Sequence, residues 1–341
     1  MPIRTGHAGR RLRPTRWQLQ ILLGFLGITL VLPGDCRGGT SADTAAAGPT
    51  ILYTDITSGP NSGGEKDLGI YLSVFGRNFG ASLREVRLQI GGVEVANYRY
   101  LGPSRGRPDI QQLTVQIGHL GNPPPETALP IQLSVNDRRS NADLTFTVSP
   151  GNIYFVSPDG SDEATGTFEK PFKTVQKPAG VHLRFTIQPA SEAGVYGVVR
   201  AGDFIMLRGG RYAEVGFGGT GGEGYLLQTL NKSGCPLPTR CPQGGGKSTG
   251  PITLMGYPGE TAFIDRTNRL GDNKFGGGVS SADSQRQAEG YGAWWNVVDL
   301  KIESGFYDGP INTQRGDLNP LGGHWRVVNN DLSAESCRLM T

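Results

Sequence analysis

Two apolar runs, parted by a polar turn and an amphipathic segment and closed by Gly-Gly, constrain this chain most. Asn152-Ile-Tyr-Phe-Val-Ser-Pro-Asp-Gly-Ser-Asp162 leads through Gly166-Thr-Phe-Glu-Lys-Pro-Phe-Lys-Thr-Val-Gln176 to Ala201-Gly-Asp-Phe-Ile-Met-Leu-Arg-Gly-Gly-Arg-Tyr212. The order reads as strand, Gly/Asp turn, amphipathic segment and second strand. Further apolar runs, Pro251-Ile-Thr-Leu-Met255 and Ala262-Phe-Ile264, flank a turn at Gly256-Tyr-Pro-Gly-Glu260. Trp295-Asn-Val-Val and Trp325-Arg-Val-Val then share W-x-V-V at an interval of 30 residues. Such an interval fits stacked repeats of one short unit with loop insertions. With 53 Gly and 23 Pro in 341 residues, 18% charged and 36% hydrophobic residues, the composition suits a turn-rich all-β protein.

The Ala201–Tyr212 run, A-G-D-x-I-x-L-x-x-G-x-Y, resembles the entry to the coils of right-handed parallel β-helix proteins of the pectate-lyase-like superfamily. The resemblance implies that the first strand and helix cap the solenoid, that the protein is secreted, and that it handles extended, often acidic, polysaccharides. Residues 152–341 are therefore expected to form an incomplete right-handed parallel β-helix with an N-terminal cap. A solenoid needs at least three repeats and capped ends. The alternation breaks after about Ala334, so a truncated or frameshifted chain is expected, with a short form that pairs with a partner as the alternative.

Residues 49–148 carry a different pattern. Leu113-Thr-Val-Gln-Ile117, Ile131-Gln-Leu-Ser-Val135 and Leu144-Thr-Phe-Thr-Val148 alternate apolar and polar residues, as half-buried strands do. Gly91-Gly92 suits a tight hairpin turn inside Val86–Val95. About seven short strands in ~100 residues read as an Ig-like β-sandwich. Val74-Phe-Gly-Arg-Asn-Phe-Gly80 after a Ser-Gly-Pro turn, with Ile90-Gly-Gly following, resembles the IPT/TIG subgroup of such sandwiches. That resemblance implies a bulged turn burying Phe79 and a spacer or binding role. The isolated segment is expected to be a soluble, cooperatively folding monomer.

Residues 1–47 read as a signal peptide and short linker. Arg10, Arg11, Arg13 and Arg16 precede the apolar stretch Leu19–Leu32, and Ala45-Ala46-Ala47 supplies small residues for cleavage. The apolar stretch falls short of the ~20 residues that span a bilayer, so no transmembrane anchor is expected in the mature form. The expected location is secreted or cell envelope (periplasm or outer surface). Lipid modification of Cys36 is the lesser alternative, because Asp35 stands where lipoprotein signals place Gly or Ala. The formal charge of +3 comes from this leader; without it 27 basic residues face 28 acidic ones. No positive field for nucleic acid is left. Cys235 and Cys241 enclose a short loop and are expected to form a disulfide in an oxidising compartment.

Neither glycine-rich loop reads as a nucleotide site: Gly216–Gly221 is not followed by a helical pattern, and Gly244-Gly-Gly-Lys-Ser248 lacks the first glycine of a phosphate loop. The four histidines have no metal-ligand spacing. Carboxylates and aromatics are left as candidates. Elimination on a uronate polymer needs the sugar carboxylate neutralised, usually by Ca²⁺ on Asp/Glu oxygens, and a Lys or Arg base. Hydrolysis needs two carboxylates at a set separation. Asp299 and Asp331 follow the two W-x-V-V strands, with Lys301 and Arg326 close by on those strands. These four are the catalytic candidates. The bland alternative has each Asp capping backbone N–H groups at a bend. Trp294, Trp295, Tyr291 and Tyr307, with Phe306, cluster within 17 residues and are the candidate sugar platforms, one of the two tryptophans being expected to face the core. The expected partner is an extracellular polysaccharide, met either by a lyase-like enzyme or by a non-catalytic surface or matrix adhesion protein.

Overall fold

The computed structural model describes residues 47–179, 198–213, 217–218, 224–228, 250–266, 279–280, 294–304, 310–312 and 324–334. Ten strands occupy residues 50–148. β1 (Thr50–Thr54), β2 (Ser58–Gly59), β3 (Tyr71–Arg77), β4 (Val86–Ile90) and β5 (Val93–Glu94) precede β6 (Asn97–Ser104), β7 (Arg107–Gln116), β8 (Ala128–Val135), β9 (Arg138–Arg139) and β10 (Thr145–Val148). They form two sheets, β1-β3-β7-β6 and β2-β10-β8-β4-β5, with β9 paired to β8; every pair is antiparallel except β2–β10. Alternation explains the layers. In β4, Val86, Leu88 and Ile90 are wholly buried while Arg87 and Gln89 are exposed. The inner residues meet Leu72, Val74, Leu113, Val115, Leu133 and Phe146 in one core. Phe79 is also fully buried there, and a Cβ on Gly76 would collide with the Thr50 carbonyl and the Phe79 ring. Only glycine fits that approach.

From residue 153 the pairing turns parallel. β11 (Ile153–Val156) is followed by the short helix α1 (Gln176–Ala179), then β12 (Phe204–Leu207), β13 (Gly210–Tyr212) and an antiparallel pair, β14 (Phe217–Gly218) with β15 (Gly224–Tyr225). Next come β16 (Leu227–Gln228), β17 (Ile252–Gly256), β18 (Ala262–Asp265) and β19 (Val279–Ser280). β20 (Trp295–Val298), β21 (Lys301–Ser304), β22 (Ile311–Asn312), β23 (Arg326–Val328) and β24 (Asp331–Ala334) complete the described set. The parallel sheets run β11-β12-β17-β20-β23, β13-β18-β21-β24 and β16-β19-β22. Each pass of the chain from β12 to β22 thus adds one strand to each of three sheets. The molecule is all-β, with antiparallel and parallel sheets in sequence.

Ala201-Gly-Asp203 ties the first two parallel strands. The buried Asp203 carboxylate accepts N–H bonds from Asn152 (2.6 Å) and Arg200 (2.7 Å). Tyr212 donates to the carbonyls of Val156 (2.9 Å) and Arg208 (2.8 Å), closing the corner after Gly210, whose φ of 139° excludes most side chains.

Within the β11-β12-β17-β20-β23 sheet, β12, β17 and β20 are buried on both faces, which is why Phe204-Ile-Met-Leu207 is apolar throughout rather than alternating. Ile205, Leu207, Ile252, Leu254, Trp295 and Val297 face the interior of the coils. Ile153, Phe155, Phe204, Met206, Met255 and Val298 face the other way and join the core cluster of the sandwich. The described residues belong to one compact unit.

Candidate functional site

Neighbouring strand residues face opposite ways, and the tryptophan pair shows it. Trp295 opens β20 fully buried in the coil interior, its ring centroid 6.3 Å from that of Trp325 in the next coil. Trp294 sits one residue earlier at φ 61°, half-buried, its ring nearly parallel to that of His324 at 3.9 Å. The 30-residue interval of the W-x-V-V strands places 294 beside 324 and 295 beside 325.

Trp294 lines a cleft of about 1070 Å³ between the sandwich and the parallel strands. The sandwich supplies a wall of short polar side chains, Thr54, Thr57, Ser58, Thr145 and Thr147, with Tyr53 among them. Tyr53 stacks on Phe75 at 4.6 Å, so its ring is held in place. The loop Gly121-Asn-Pro-Pro-Pro-Glu126 contributes Asn122, Pro123, Pro125 and Glu126, and Asp143 stands on the same rim. Asn61 ties this loop to the wall by donating to the Gly121 carbonyl at 2.8 Å. Ser149, only 7% exposed, lines the cleft with its hydroxyl lacking a hydrogen-bond partner. Arg326 is the one cation among the described lining residues; its Nε donates to the Asp55 carbonyl at 2.6 Å and its Nη2 to the Thr54 carbonyl.

The register places the other carboxylate candidates. Val298 pairs with Val328 and Lys301 with Asp331, so the residue stacked beside Asp299 is Asn329, and Asp331 lies beside Lys301 instead. Asp299, at φ 54°, is bound by Arg105 of the β6–β7 turn at 3.1 Å and by the Asn329 amide at 3.2 Å. Burial pushes its carboxyl above the usual carboxylate range, and the Arg105 charge only partly offsets this. Asn329 bonds back to Gln112 of β7 at 3.2 Å. Asp299 is thus a fastening between coil and sandwich. Lys301 lies over the Phe263 ring at 4.6 Å and pairs with Glu303 at 3.1 Å, while Asp331 is exposed. Among the described residues no three His, Cys, Asp or Glu side chains gather as a metal site. Ca²⁺ takes six to eight oxygens, and neither Asp299 nor Asp331 sits in such a set. Tyr291, Tyr307, Phe306, Cys235, Cys241 and Cys36 lie outside the described residues.

A second polar cluster joins the modules. Glu65, 6% exposed, accepts from Tyr71 and, at 2.7 Å, from Tyr257, with Arg99 at 3.4 Å; Arg99 also donates to the Tyr257 hydroxyl. Burial pushes the Glu65 carboxyl up, but the two hydroxyls and Arg99 outweigh it and hold it below the usual range. Arg208 lies over the rings of Tyr257 (4.5 Å) and Phe168 (4.8 Å) and grips Glu260 with two N–H groups. Every charge here has a partner, so the cluster reads as a clamp.

The sandwich wall of the cleft was not singled out from sequence. Its one local signal was the Gly/Pro-rich 121–126 stretch, a loop by composition and so a place where binding residues collect.

No protein-family model matches the chain, and no curated protein matches it. Among solved structures, a rhamnogalacturonan lyase aligns with 45% of this chain and 36% of its own length, at 18% identity and a TM-score of 0.24. The chain therefore spans about a third of that protein, and a likeness of this size assigns no family.

Proposed function

We propose that the chain is an exported polysaccharide-binding protein, built as an IPT/TIG sandwich followed by coils of a right-handed parallel β-helix of the pectate-lyase-like kind. The observation that carries the reading is the cleft. Its volume of about 1070 Å³ stands at the top of the usual range for ligand pockets, roughly 300–1,000 Å³, and leaves room for sugar rings. Trp294 and Tyr53 offer faces for the apolar sides of pyranose rings. Thr, Ser and Asn side chains offer donors and acceptors for hydroxyl groups. The leader at residues 1–47, with its basic, apolar and small-residue regions, supports export.

Binding is favoured over catalysis because Asp299 and Arg326 are held by partners of their own, by Arg105 and by two backbone carbonyls. A lyase-like reading draws on Lys301 beside Asp331 on the outer face of β21 and β24. Affinity electrophoresis of the exported protein tests the main reading. Trp294→Ala is expected to weaken retention by roughly 1–3 kcal/mol, the size of an aromatic anchor. The same protein should release no unsaturated product from pectate or alginate, with or without added Ca²⁺. Retention indifferent to Trp294→Ala would move the reading away from this cleft, and robust lyase activity would promote Lys301 and Asp331.

A further inference from the structure

Resting on the polysaccharide reading, we infer that the cleft selects uncharged glycans and disfavours uronate polymers. Its rim carries two carboxylates, Glu126 and Asp143, and neither forms an ion pair among the described residues. Both are exposed. Among the described lining residues the one cation set against them is Arg326. Arg326 spends Nε and one Nη2 donor on the Asp55 and Thr54 carbonyls, so the edge of its fork that pairs Nε with Nη2 is closed to a sugar carboxylate.

The rest of the lining speaks for neutral ligands. The Thr, Ser and Asn side chains of the lining are neutral and carry both donors and acceptors, which suits sugar hydroxyls. Trp294 binds by ring stacking and discriminates little by charge. A polymer with a carboxylate on every sugar would bring repeated negative charge to a rim that already holds two. The repulsion acts through solvent and weakens with ionic strength.

Homogalacturonan and its fully methyl-esterified form share one backbone and differ in the methyl ester that removes each charge. The exported full chain is run by affinity electrophoresis against both, and against neutral β-glucan and xylan, in EDTA at low salt. Retention by the best neutral polymer is expected to be at least about tenfold stronger than by de-esterified homogalacturonan. The double variant Glu126→Gln, Asp143→Asn should narrow that gap several-fold, as should added NaCl. Homogalacturonan bound as tightly as the neutral polymers, with retention still lost in Trp294→Ala, overturns the charge rule and leaves the binding reading standing. Retention by none of the polymers, or retention that ignores Trp294→Ala, overturns both. A gap that the double variant leaves unchanged also overturns the assignment to Glu126 and Asp143.

Discussion

Asp55 sits at the end of β1, 2% exposed, with Oδ1 accepting from the N–H groups of Ile56 (2.8 Å) and Ser73 (2.9 Å). Burial raises its carboxyl from 3.8 to about 7, and nearby Asp299 adds to the rise, while the backbone donors oppose it. A carboxyl raised in the folded state stabilises below its unfolded value, and that contribution is lost as pH climbs through about 7. From pH 4 to pH 7 the loss amounts to about 4 kcal/mol at most, at ~1.4 kcal/mol per tenfold. Asp55→Asn keeps the Oδ1 acceptor and removes the titration. The difference between wild-type and Asp55→Asn stability, followed by denaturant melts at pH 5 and pH 8, should favour wild type increasingly as pH falls. A difference that stays constant would refute the titration. Residues were legible where chemistry is local: one of Trp294 and Trp295 had to be buried, and it is Trp295. They were illegible where partners are distant. Glu65 bonds Tyr257 across 192 positions, and Arg326 reaches Thr54 and Asp55 across more than 270. Nothing local to Arg326 separates a catalytic cation from an anchor.

At the scale of elements, strands were readable when long enough to carry a pattern. Alternation marked β7, β8 and β10, Gly91-Gly92 marked the β4–β5 hairpin, and continuous apolarity marked β12, whose two faces are both buried. The two-residue strands β16, β19 and β22 lie in Gly-rich excursions and are too short to show a period. The W-x-V-V interval fixed the stacking, yet a two-residue offset separated Asp299 from Asp331, because only a strict count of register, not proximity to the motif, tells which side chains stack. At the described end of the stack, β23 and β24 each pair on one side only among the described residues. Val327 and Leu332 continue interior ladders whose earlier members, Val297 and Ile302, are fully buried, but are themselves 42% and 44% exposed. Exposed apolar strand edges recruit other chains. Val327→Lys with Leu332→Lys should therefore lower self-association measured by light scattering, with a change in stability of about 0.5 kcal/mol or less. Unchanged association in the double variant would mean that this edge is not the contact.

For the whole molecule, the consequential feature is the shared core. A sandwich of some 100 residues was expected to stand alone, and its internal alternation supports that expectation. In its β1-β3-β7-β6 sheet, however, β3 and the second half of β7 are buried on the outer face as well: Tyr71 meets Tyr257 edge-on at 5.4 Å, and Ser73 and Thr114 bond each other at 2.9 Å out of contact with water. Phe204 packs so closely that a Cβ on Gly59 would lie 2.9 Å from its ring. Phe155, Met206, Met255 and Val298 complete the cover. Removing the coils would expose these apolar surfaces at ~25 cal/mol per Å². It would also leave Glu65 without Tyr257, and the Thr54 and Asp55 carbonyls without Arg326. Units joined by a continuous core unfold together more readily than modules on a linker. The exported chain should accordingly show one calorimetric transition in which the sandwich and coil signals coincide. The isolated 49–148 segment should melt lower and bind a hydrophobic dye at its β3–β7 face. Tyr257→Phe, which removes one donor to Glu65 while keeping the ring, should lower the shared transition in the full chain by the ~1–3 kcal/mol of a hydrogen bond to a charged group. Two separated transitions, or an isolated segment as stable as the whole, would show that the contact between sandwich and coils contributes little to folding.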